Sequence, residues 1–556
     1  MAAQTTHGPD LDLTTALPVA RRRLAPWTVV VAVVVGVGVL LRTYTASATW
    51  LDETLTINIA SLPLSRIPAA LRLDGAPPLY YLLLHGWMRV FGSSDVAARS
   101  LSGLCSIATL PLMWAAGRRA AGPGGARAAL LLLAASPFAI YYATEARMYA
   151  LVVLLVTAGY LLLQRALTRP SMARLWPVAV VAGALALTHY WALFLLTAVA
   201  LLLVWRICRG SLPGERRAAR RCLLALAAGG VLFLPWLPIF VFQARHTGTP
   251  WAQPAQYSAL VHAVGEWAGG VSTAARILGL LFLLLAVVGL LGRRMDERRM
   301  VIDLAPDGEA TALGWVFAGT IVIALTAGLV AGSGFDGRYT SVAFPPFLLL
   351  TVRGVRALPQ HAARPVLVLA VVAGLATALG NPVNRLKTDA DLVAAAIRPT
   401  AQPADLVIYC PTSSDRPSAG TCRRGCTRRS SLAVGHRPGS TGSTTSSATA
   451  PPTRRPSPIR CCGAPGQAVT CGWCMARTTE PMKASATAWP RRCPCGRRPI
   501  WPWTPRSPTT STRRWSGSTY ERLPDERGRQ SIADRHQRRP ARQSGADPNP
   551  VAAANC

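Results

Sequence analysis

Long apolar runs bounded by arginine recur through roughly the first 380 residues, and they constrain the fold more than any other feature. Thr28–Leu41, Leu151–Leu163 and Ile277–Leu291 are three of these runs. Apolar runs with basic flanks are typical of membrane helices, which need about 20 residues to cross the hydrocarbon core. A mean hydropathy of +0.29 over 556 residues agrees. The sequence therefore excludes an ordinary soluble protein and predicts an all-α polytopic membrane protein.

The basic residues also orient the chain, because positively charged loops stay in the cytoplasm. Arg21–Arg23 precede the first run and predict that it leads outward. Every second later loop is rich in arginine, which places the loops between them outside. We expect about eleven spans, with thirteen as the upper count. After the first run they are roughly 99–117, 127–141, 148–164, 174–188, 190–206, 222–242, 274–292, 312–331, 340–353 and 365–381.

Two segments allow a second interpretation. The first run could be a signal peptide, since Ala46-Ser47-Ala48 resembles a cleavage site, but a retained anchor is simpler when so many spans follow. Pro78–Phe91 is apolar but short for a span, and a full crossing would put Arg118 and Arg119 outside. It is therefore interpreted as a juxtamembrane or partly inserted helix.

Four regions follow from this pattern. Residues 1–24 form a cytoplasmic segment, and 25–381 form the membrane body. Residues 382–410 begin a small external α/β domain, with a helix at Asp389–Ile397 and a strand at Asp405–Tyr409. Residues 411–556 form a low-complexity basic tail that is predicted to be disordered.

The tail holds more than half of the +34 net charge, because it has 25 basic and 7 acidic residues. Nine of the thirteen cysteines also lie there, but the segments between the cysteine pairs predict no strands or hairpins to build a zinc site. Its many Arg, Pro, Cys, Ser and Trp residues, with one lysine, are typical of a GC-rich gene in the wrong frame. A frameshift near Cys410 is thus an alternative to a genuine basic arm.

Acidic residues are scarce in the body, so their positions are informative. Asp52 and Glu53 directly follow the first span, on the face predicted to be external. Ionisable groups at membrane depth usually line a site or pair with one another. Carboxylates and arginines on one face suit a reaction with a general base and an anionic leaving group. Their companions on this face are Asp74, Pro77, Pro78, Arg99, Glu145, Arg147, Tyr149, His189, Glu266, Asp336 and Arg338.

Four motifs in this order resemble membrane glycosyltransferases of the GT-C fold. The likeness runs from about residue 25 to 410 and is strongest to the bacterial branch related to protein O-mannosyltransferases and lipid A aminoarabinose transferases. The motifs are Leu51-Asp52-Glu53, the stretch 74–85 with Pro77 and Pro78, Ala98-Arg99 with the three residues after it, and the stretch 135–149 that ends Glu145-Ala-Arg147-Met-Tyr149.

The resemblance implies transfer of a sugar, mannose or a similar one, from a polyprenyl-phosphate donor to an external acceptor hydroxyl. It makes Asp52 the leading catalytic residue, as an inverting general base, and Glu53 the second acid. Pro77, Pro78 and Leu79 would help to form the lipid-phosphate end. Family members often carry His or Lys before the two prolines, where this chain has Ala76. Arg99, Arg147 and Arg338 are therefore expected to bind the phosphate instead.

Asp74, Glu145, Tyr149, His189 and Tyr339 complete the predicted substrate-binding residues. Structural roles stay open for several of them: Arg99 and Arg147 as interfacial anchors, and His189 as a packing residue. No metal site and no certain cofactor is predicted, although the chemistry leaves room for a divalent cation.

The expected partners are the donor lipid, the bilayer and an external glycan, lipid or protein acceptor, without nucleic acid, at the cytoplasmic membrane. The alternative functions are a transporter or flippase and an inactive truncated transferase. Transporters place charges near the bilayer midplane, often on repeated and interrupted helices. Here the acids fall at span ends, which favours the transferase.

Overall fold

The computed structural model describes residues 26–246, 253–254, 258–270, 272–331, 334–380, 387–399, 406–409, 427–430 and 469–470. The chain divides into two units, Met1–Met475 and Ala476–Cys556, and every described residue belongs to the first. The predicted segment 1–24 and the tail cysteines lie outside the described residues. The disorder, zinc and frameshift interpretations of the tail therefore stay predictions.

Helices make up most of the described chain. Short 3-10 turns at Leu234–Trp236 and Gly337–Val342 precede the eleventh and fifteenth helices. The helices of the described residues, α1 to α17, are Pro26–Leu41, Leu51–Ala60, Ile67–Asp74, Leu79–Phe91, Asp95–Ala134, Pro137–Ala143, Tyr149–Thr168, Met172–Thr188, Trp191–Arg209, Pro213–Val231, Leu237–His246, Ser258–Trp267, Thr273–Leu291, Gly308–Ala331, Phe344–Ala357, Gln360–Ala378 and Ala390–Ile397.

The strands are short. Within the described residues, β1 to β7 are Gln253–Pro254, Gly292–Arg294, Met300–Ile302, Gly334–Phe335, Leu406–Tyr409, Thr427–Ser430 and Val469–Thr470. β1 pairs with β4 and β2 with β3, both antiparallel.

Seven helical stretches in the described part of the chain are long and apolar enough to cross a membrane. Helices α1 and α8 are also apolar but shorter. Their surfaces carry exposed apolar side chains such as Val33, Val180 and Trp176, as expected of helices that face lipid. The predicted all-α polytopic membrane architecture is confirmed. The seven stretches are α5, α7, α9, α10 with α11, α13, α14 and α16.

Helix α5 is a hairpin of two helices and not one straight rod. Gly122 has a φ of +72°, a left-handed conformation that glycine adopts without strain, and Pro123 follows it. A Cβ on Gly117 would lie 2.4 Å from the Cβ of Ala129, which requires the chain to reverse between them. The predicted span 99–117 lies in its first arm. The predicted span 127–141 instead runs past the end of its second arm at Ala134 and into α6.

Helix α4 has 13 residues, which at about 1.5 Å each span about 20 Å of the ~30 Å core. Tyr80, Tyr81 and Leu84 on one face are buried against neighbouring helices, whereas Val90 and Phe91 at its end are exposed. This length is that of the short juxtamembrane helix predicted for Pro78–Phe91.

Helices α13 and α15 pack closely through glycine, which lets two backbones approach each other. A Cβ on Gly289 would lie 1.8 Å from the carbonyl oxygen of Leu350. A Cβ on Gly354 would lie 1.9 Å from the carbonyl oxygen of Leu285. Real Cβ atoms cannot occupy either position, so this interface tolerates glycine alone.

We expect Gly354→Val to force α13 and α15 apart, because the new side chain collides with backbone that cannot rotate away. The melting temperature of the purified protein should fall by about 5–10 °C. Gly36→Val is the matched control, since no atom lies within 4 Å of a Cβ built there. Equal melting temperatures for the two variants would contradict this account of the contact.

The predicted external helix and strand correspond to α17 and β5. β5 is the middle strand of a parallel three-stranded sheet, with β6 and β7 on its two edges. Both partner strands fall in 411–556, where the sequence predicts no strands, so the structure differs there. An apolar strand has two unpaired edges, and backbone hydrogen bonding favours filling both.

Candidate functional site

The two acids of the first loop lie in the first turn of α2. Trp50 is the N-cap, and its N–H donates to Glu53 Oε2 at 3.4 Å, as in a capping box. Consecutive helical residues are about 100° apart around the axis, so Asp52 and Glu53 point in different directions. The structure consequently gives them different surroundings.

Glu53 is fully buried and forms an ion pair with Arg99. Arg99 donates from Nε to Glu53 Oε1 at 2.8 Å and from Nη2 to Oε2 at 2.7 Å. Its other N–H groups donate to the carbonyl oxygens of Ser47 and Ala48, while Ala146 N–H donates to Glu53 Oε1 at 2.8 Å. This bidentate pair ties α2 to α5 and to two loops. Both residues therefore hold the site together, and the guanidinium predicted to bind phosphate is already occupied.

Asp52 lies between the other two arginines. Arg338 Nη1 donates to Asp52 Oδ2 at 2.7 Å, and Arg147 Nη2 is 4.0 Å from the same oxygen. The Asp52 side chain is 28% exposed, against 12% and 14% for Arg147 and Arg338. Asp52 is thus the acid that an incoming substrate can reach.

Other side chains position both Arg147 and Arg338 beside Asp52. Arg147 Nη1 donates to Thr56 Oγ1 at 2.8 Å, and Arg338 Nη2 is 3.2 Å from Asp336 Oδ2. The Nε atoms of both arginines and the hydroxyl of Tyr149 are buried without a hydrogen-bond partner in the described part of the chain. Buried donors are normally satisfied, so these three donors near one carboxylate are candidates to bind an acceptor group of a substrate.

Aromatic rings line this region next to the arginines. The His189 ring lies 5.8 Å from that of Tyr149 and 5.7 Å from that of Tyr339. The backbone N–H of Trp191 donates to His189 Nδ1 at 3.2 Å, so Nδ1 of His189 carries no proton. Burial, with Arg147 and Arg338 nearby, lowers the pKa of His189 to about 3. His189 is therefore a neutral ring at physiological pH.

Asp74 is the last residue of α3, and the two prolines lie in the loop between α3 and α4. Tyr81 donates its hydroxyl proton to Asp74 Oδ2 at 2.7 Å. Burial raises the pKa of Asp74, whereas the positive charge of Arg147 opposes the shift. Pro78 is the N-cap of α4, and Gln243 Nε2 donates to Leu71 O at 2.7 Å, which braces this loop. The structure brings Asp74 within the electrostatic reach of Asp52 and Arg147.

Glu145 pairs with a residue that sequence reasoning missed. Lys387 Nζ lies 3.3 Å from Glu145 Oε1, and both side chains are buried. The ammonium group also lies 4.3 Å from the centre of the Tyr141 ring, and Lys387 N–H donates to Ser47 Oγ at 2.8 Å. Lys387 is one of only two lysines in the chain, and this rarity is the sequence feature that could have identified it as a site residue. This pair anchors Lys387 and the residues directly after it beside the site.

Glu266 in α12 is the remaining acid on this face. A Cβ on Gly337 would lie 2.5 Å from its carboxyl carbon, so the carboxyl rests on the backbone just before Arg338. Burial raises the pKa of Glu266 to about 8, Asp336 adds to the shift, and Arg338 opposes it. Glu266 is accordingly mostly protonated at neutral pH.

Glu266 should make stability depend on pH. Its folded pKa of about 8 is above the ordinary value of 4.5, so its contribution is complete below 4.5 and is lost as pH rises through about 8. Between pH ~6 and ~9 the melting temperature of the parent should therefore fall by about 3–5 °C more than that of Glu266→Gln. Glu215→Gln, an exposed acid in α10, is the control. Parallel pH profiles for parent and Glu266→Gln would contradict the shift.

No group of three metal-binding side chains of His, Cys, Asp or Glu occurs among the residues that the structure describes. The described residues bring together one accessible carboxylate, two arginines and several aromatic rings.

Part of this site falls within a match to a known protein family. Residues 75–239 match the family described as dolichyl-phosphate-mannose-protein mannosyltransferase. That segment includes Arg99, Glu145, Arg147 and His189, but it begins after Asp52. No curated protein sequence matches the chain.

Solved structures resemble the chain at low sequence identity. ArnT from Cupriavidus metallidurans in the apo state has a TM-score of 0.53 at 12% identity, covering 72% of this chain and 85% of that one. The same protein bound to undecaprenyl phosphate has a TM-score of 0.48 at 14% identity, covering 73% and 86%. An oligosaccharyltransferase from Archaeoglobus fulgidus, in complex with Zn and sulfate, has a TM-score of 0.44 at 11% identity, covering 67% and 55%. The chain thus shares the fold of apo ArnT and is similar over residues 75–239 to the family described as dolichyl-phosphate-mannose-protein mannosyltransferase.

Proposed function

We propose that this protein transfers a sugar from a polyprenyl-phosphate donor to an acceptor hydroxyl on the external face of the cytoplasmic membrane. The observation that carries the proposal is the position of Asp52, a partly exposed carboxylate between two largely buried arginines. The family description supports a lipid-phosphate donor and makes mannose the first sugar to test. The arginine-rich alternate loops support an external site.

In the proposed reaction the acceptor oxygen attacks the anomeric carbon of the donor sugar. Asp52 accepts the hydroxyl proton while the bond between the anomeric carbon and the phosphate oxygen breaks. The electron pair of that bond leaves with the polyprenyl phosphate. Attack opposite the leaving group inverts the anomeric centre.

The leaving phosphate gains negative charge, which arginine stabilises through charge-assisted hydrogen bonds. The Nε–H groups of Arg147 and Arg338 are the two guanidinium donors at the site without a partner among the described residues. We assign them to the phosphate, together with the Tyr149 hydroxyl. We propose that the neutral ring of His189, together with Tyr339 and Asp74, contacts the substrate around these three donors.

Glu53, Arg99 and Glu145 each form a buried ion pair, which supports structural roles for them. Their partners are Arg99, Glu53 and Lys387, each within 3.3 Å. We propose that they shape the site without touching the reacting atoms. Pro77 and Pro78 keep their predicted role at the lipid-phosphate end.

The test is transfer from polyprenyl-phosphate mannose in sealed right-side-out and inside-out vesicles, followed by analysis of the anomeric configuration of the product. We expect inverted product, formed from acceptor supplied on the external side. A retained configuration would exclude Asp52 as a simple base, and transfer only to acceptor on the cytoplasmic side would overturn the topology.

A further inference from the structure

A basic cavity of about 590 Å³ lies at the far end of α7 from the candidate site. Helix α7 begins at Tyr149, next to Arg147, and has 20 residues, so its other end is about 30 Å away. The cavity is formed where α7 ends and α8 begins. Its lining residues are Leu162, Arg165, Thr168, Arg169, Ala173, Arg174 and Pro177.

The lining is divided between charge and apolar surface. Arg165, Arg169 and Arg174 contribute three guanidinium groups, none of the lining residues is acidic, and none of these arginines forms a salt bridge in the described part of the chain. Arg174 Nη1 donates to Arg165 O at 3.3 Å and to Arg169 O at 3.4 Å, which ties it to the end of α7. Leu162 and Pro177 supply the apolar part. Such a lining matches a phosphate that is attached to hydrocarbon.

The surroundings also indicate lipid. Met172 and Trp176 on α8 are 76% and 59% exposed, as expected of a helix that meets a bilayer. Arg221 of α10 donates to Pro170 O at 3.3 Å, which extends the basic border to a third helix. Basic pockets between membrane helices on the cytoplasmic side bind the headgroups of anionic phospholipids.

We propose that this cavity, here called the arginine cavity, binds the phosphate headgroup of an anionic phospholipid of the cytoplasmic leaflet, with its acyl chains along α8. The site is separate from the sugar-transfer site, so its test does not depend on activity.

The experiment is native mass spectrometry of the purified full chain with phosphatidylglycerol, cardiolipin or phosphatidylcholine added. We expect the parent to retain the two anionic lipids in preference to phosphatidylcholine. The triple variant Arg165→Gln/Arg169→Gln/Arg174→Gln should bind them about a hundredfold more weakly, from about 1 kcal/mol for each arginine near the surface.

The matched control is Arg293→Gln/Arg298→Gln/Arg299→Gln, which removes the same charge from another predicted cytoplasmic loop. This control should bind anionic lipid like the parent. Equal loss of lipid binding in both variants would mean that net charge, and not the arginine cavity, governs binding. That result would overturn the proposal. So would displacement of the lipid by inorganic phosphate at matched concentration, because the cavity would then be a site for a free anion. A melting temperature measured for each variant separates lost binding from lost folding.

Discussion

Asp52→Asn is expected to lower the rate of sugar transfer by about a thousandfold, within the range that general-base catalysis contributes. The amide has nearly the shape of the carboxylate and keeps an oxygen for Arg338, which lies 2.7 Å from Oδ2. It cannot take up the acceptor proton. Arg338 also keeps its ion pair with Asp336, at 3.2 Å. The loss should therefore fall on kcat and only weakly on KM.

The measurement is transfer from polyprenyl-phosphate mannose in membranes that contain equal amounts of folded protein. Glu215→Gln serves as the control, since Glu215 is an exposed acid in α10 and far from Asp52 in the sequence. Parent-level activity of Asp52→Asn would remove this residue from the mechanism. A large drop in melting temperature would instead make Asp52 a structural residue.

Glu53→Gln should lower the thermal stability of the protein. Arg99 would keep its charge at a buried site where the bidentate carboxylate, at 2.7 and 2.8 Å, has gone. Breaking one partner of a buried pair costs about 3–5 kcal/mol, and for a chain of this size the melting temperature should fall by about 3–6 °C. Arg99→Met should cost a similar amount, because it leaves Glu53 buried and unpaired.

The double variant Glu53→Gln/Arg99→Met should be more stable than the sum of the two losses predicts, since it leaves no isolated charge. Thermal unfolding of the four proteins measures this coupling. Asp52→Asn is the neighbouring-acid control and should melt within about 2 °C of the parent. A Glu53→Gln protein with parental stability and no activity would contradict the structural role and place Glu53 in the chemistry.

The membrane architecture could be predicted from local pattern, because apolar length and basic flanks act through the solvent and need no tertiary contact. The hairpin at Gly122 and Pro123 and the short helix Leu79–Phe91 follow from the same local chemistry. The strands Thr427–Ser430 and Val469–Thr470 could not be predicted this way. They carry no apolar alternation of their own and pair only because β5 has two edges to fill.

The site could be predicted as a set of residues but not as a set of roles. Asp52 and Glu53 are adjacent acids in one motif, and only the helix turn sends Glu53 inward to Arg99 and leaves Asp52 partly exposed. Lys387 lies 340 residues after Ser47, whose hydroxyl it meets, and no spacing rule connects them. Long-range pairs of this kind depend on how helices pack.

The sequence by itself determined that the chain is a membrane protein, and it predicted that acids and arginines gather on one face. These are properties of hydropathy and charge, which each segment carries alone. Only the tertiary structure decided which arginine is occupied by Glu53 and which two flank Asp52, because a buried ion pair forms between the groups that packing brings within about 3 Å. It also placed three arginines around a cavity at the other end of α7, where the sequence shows a basic loop and nothing more.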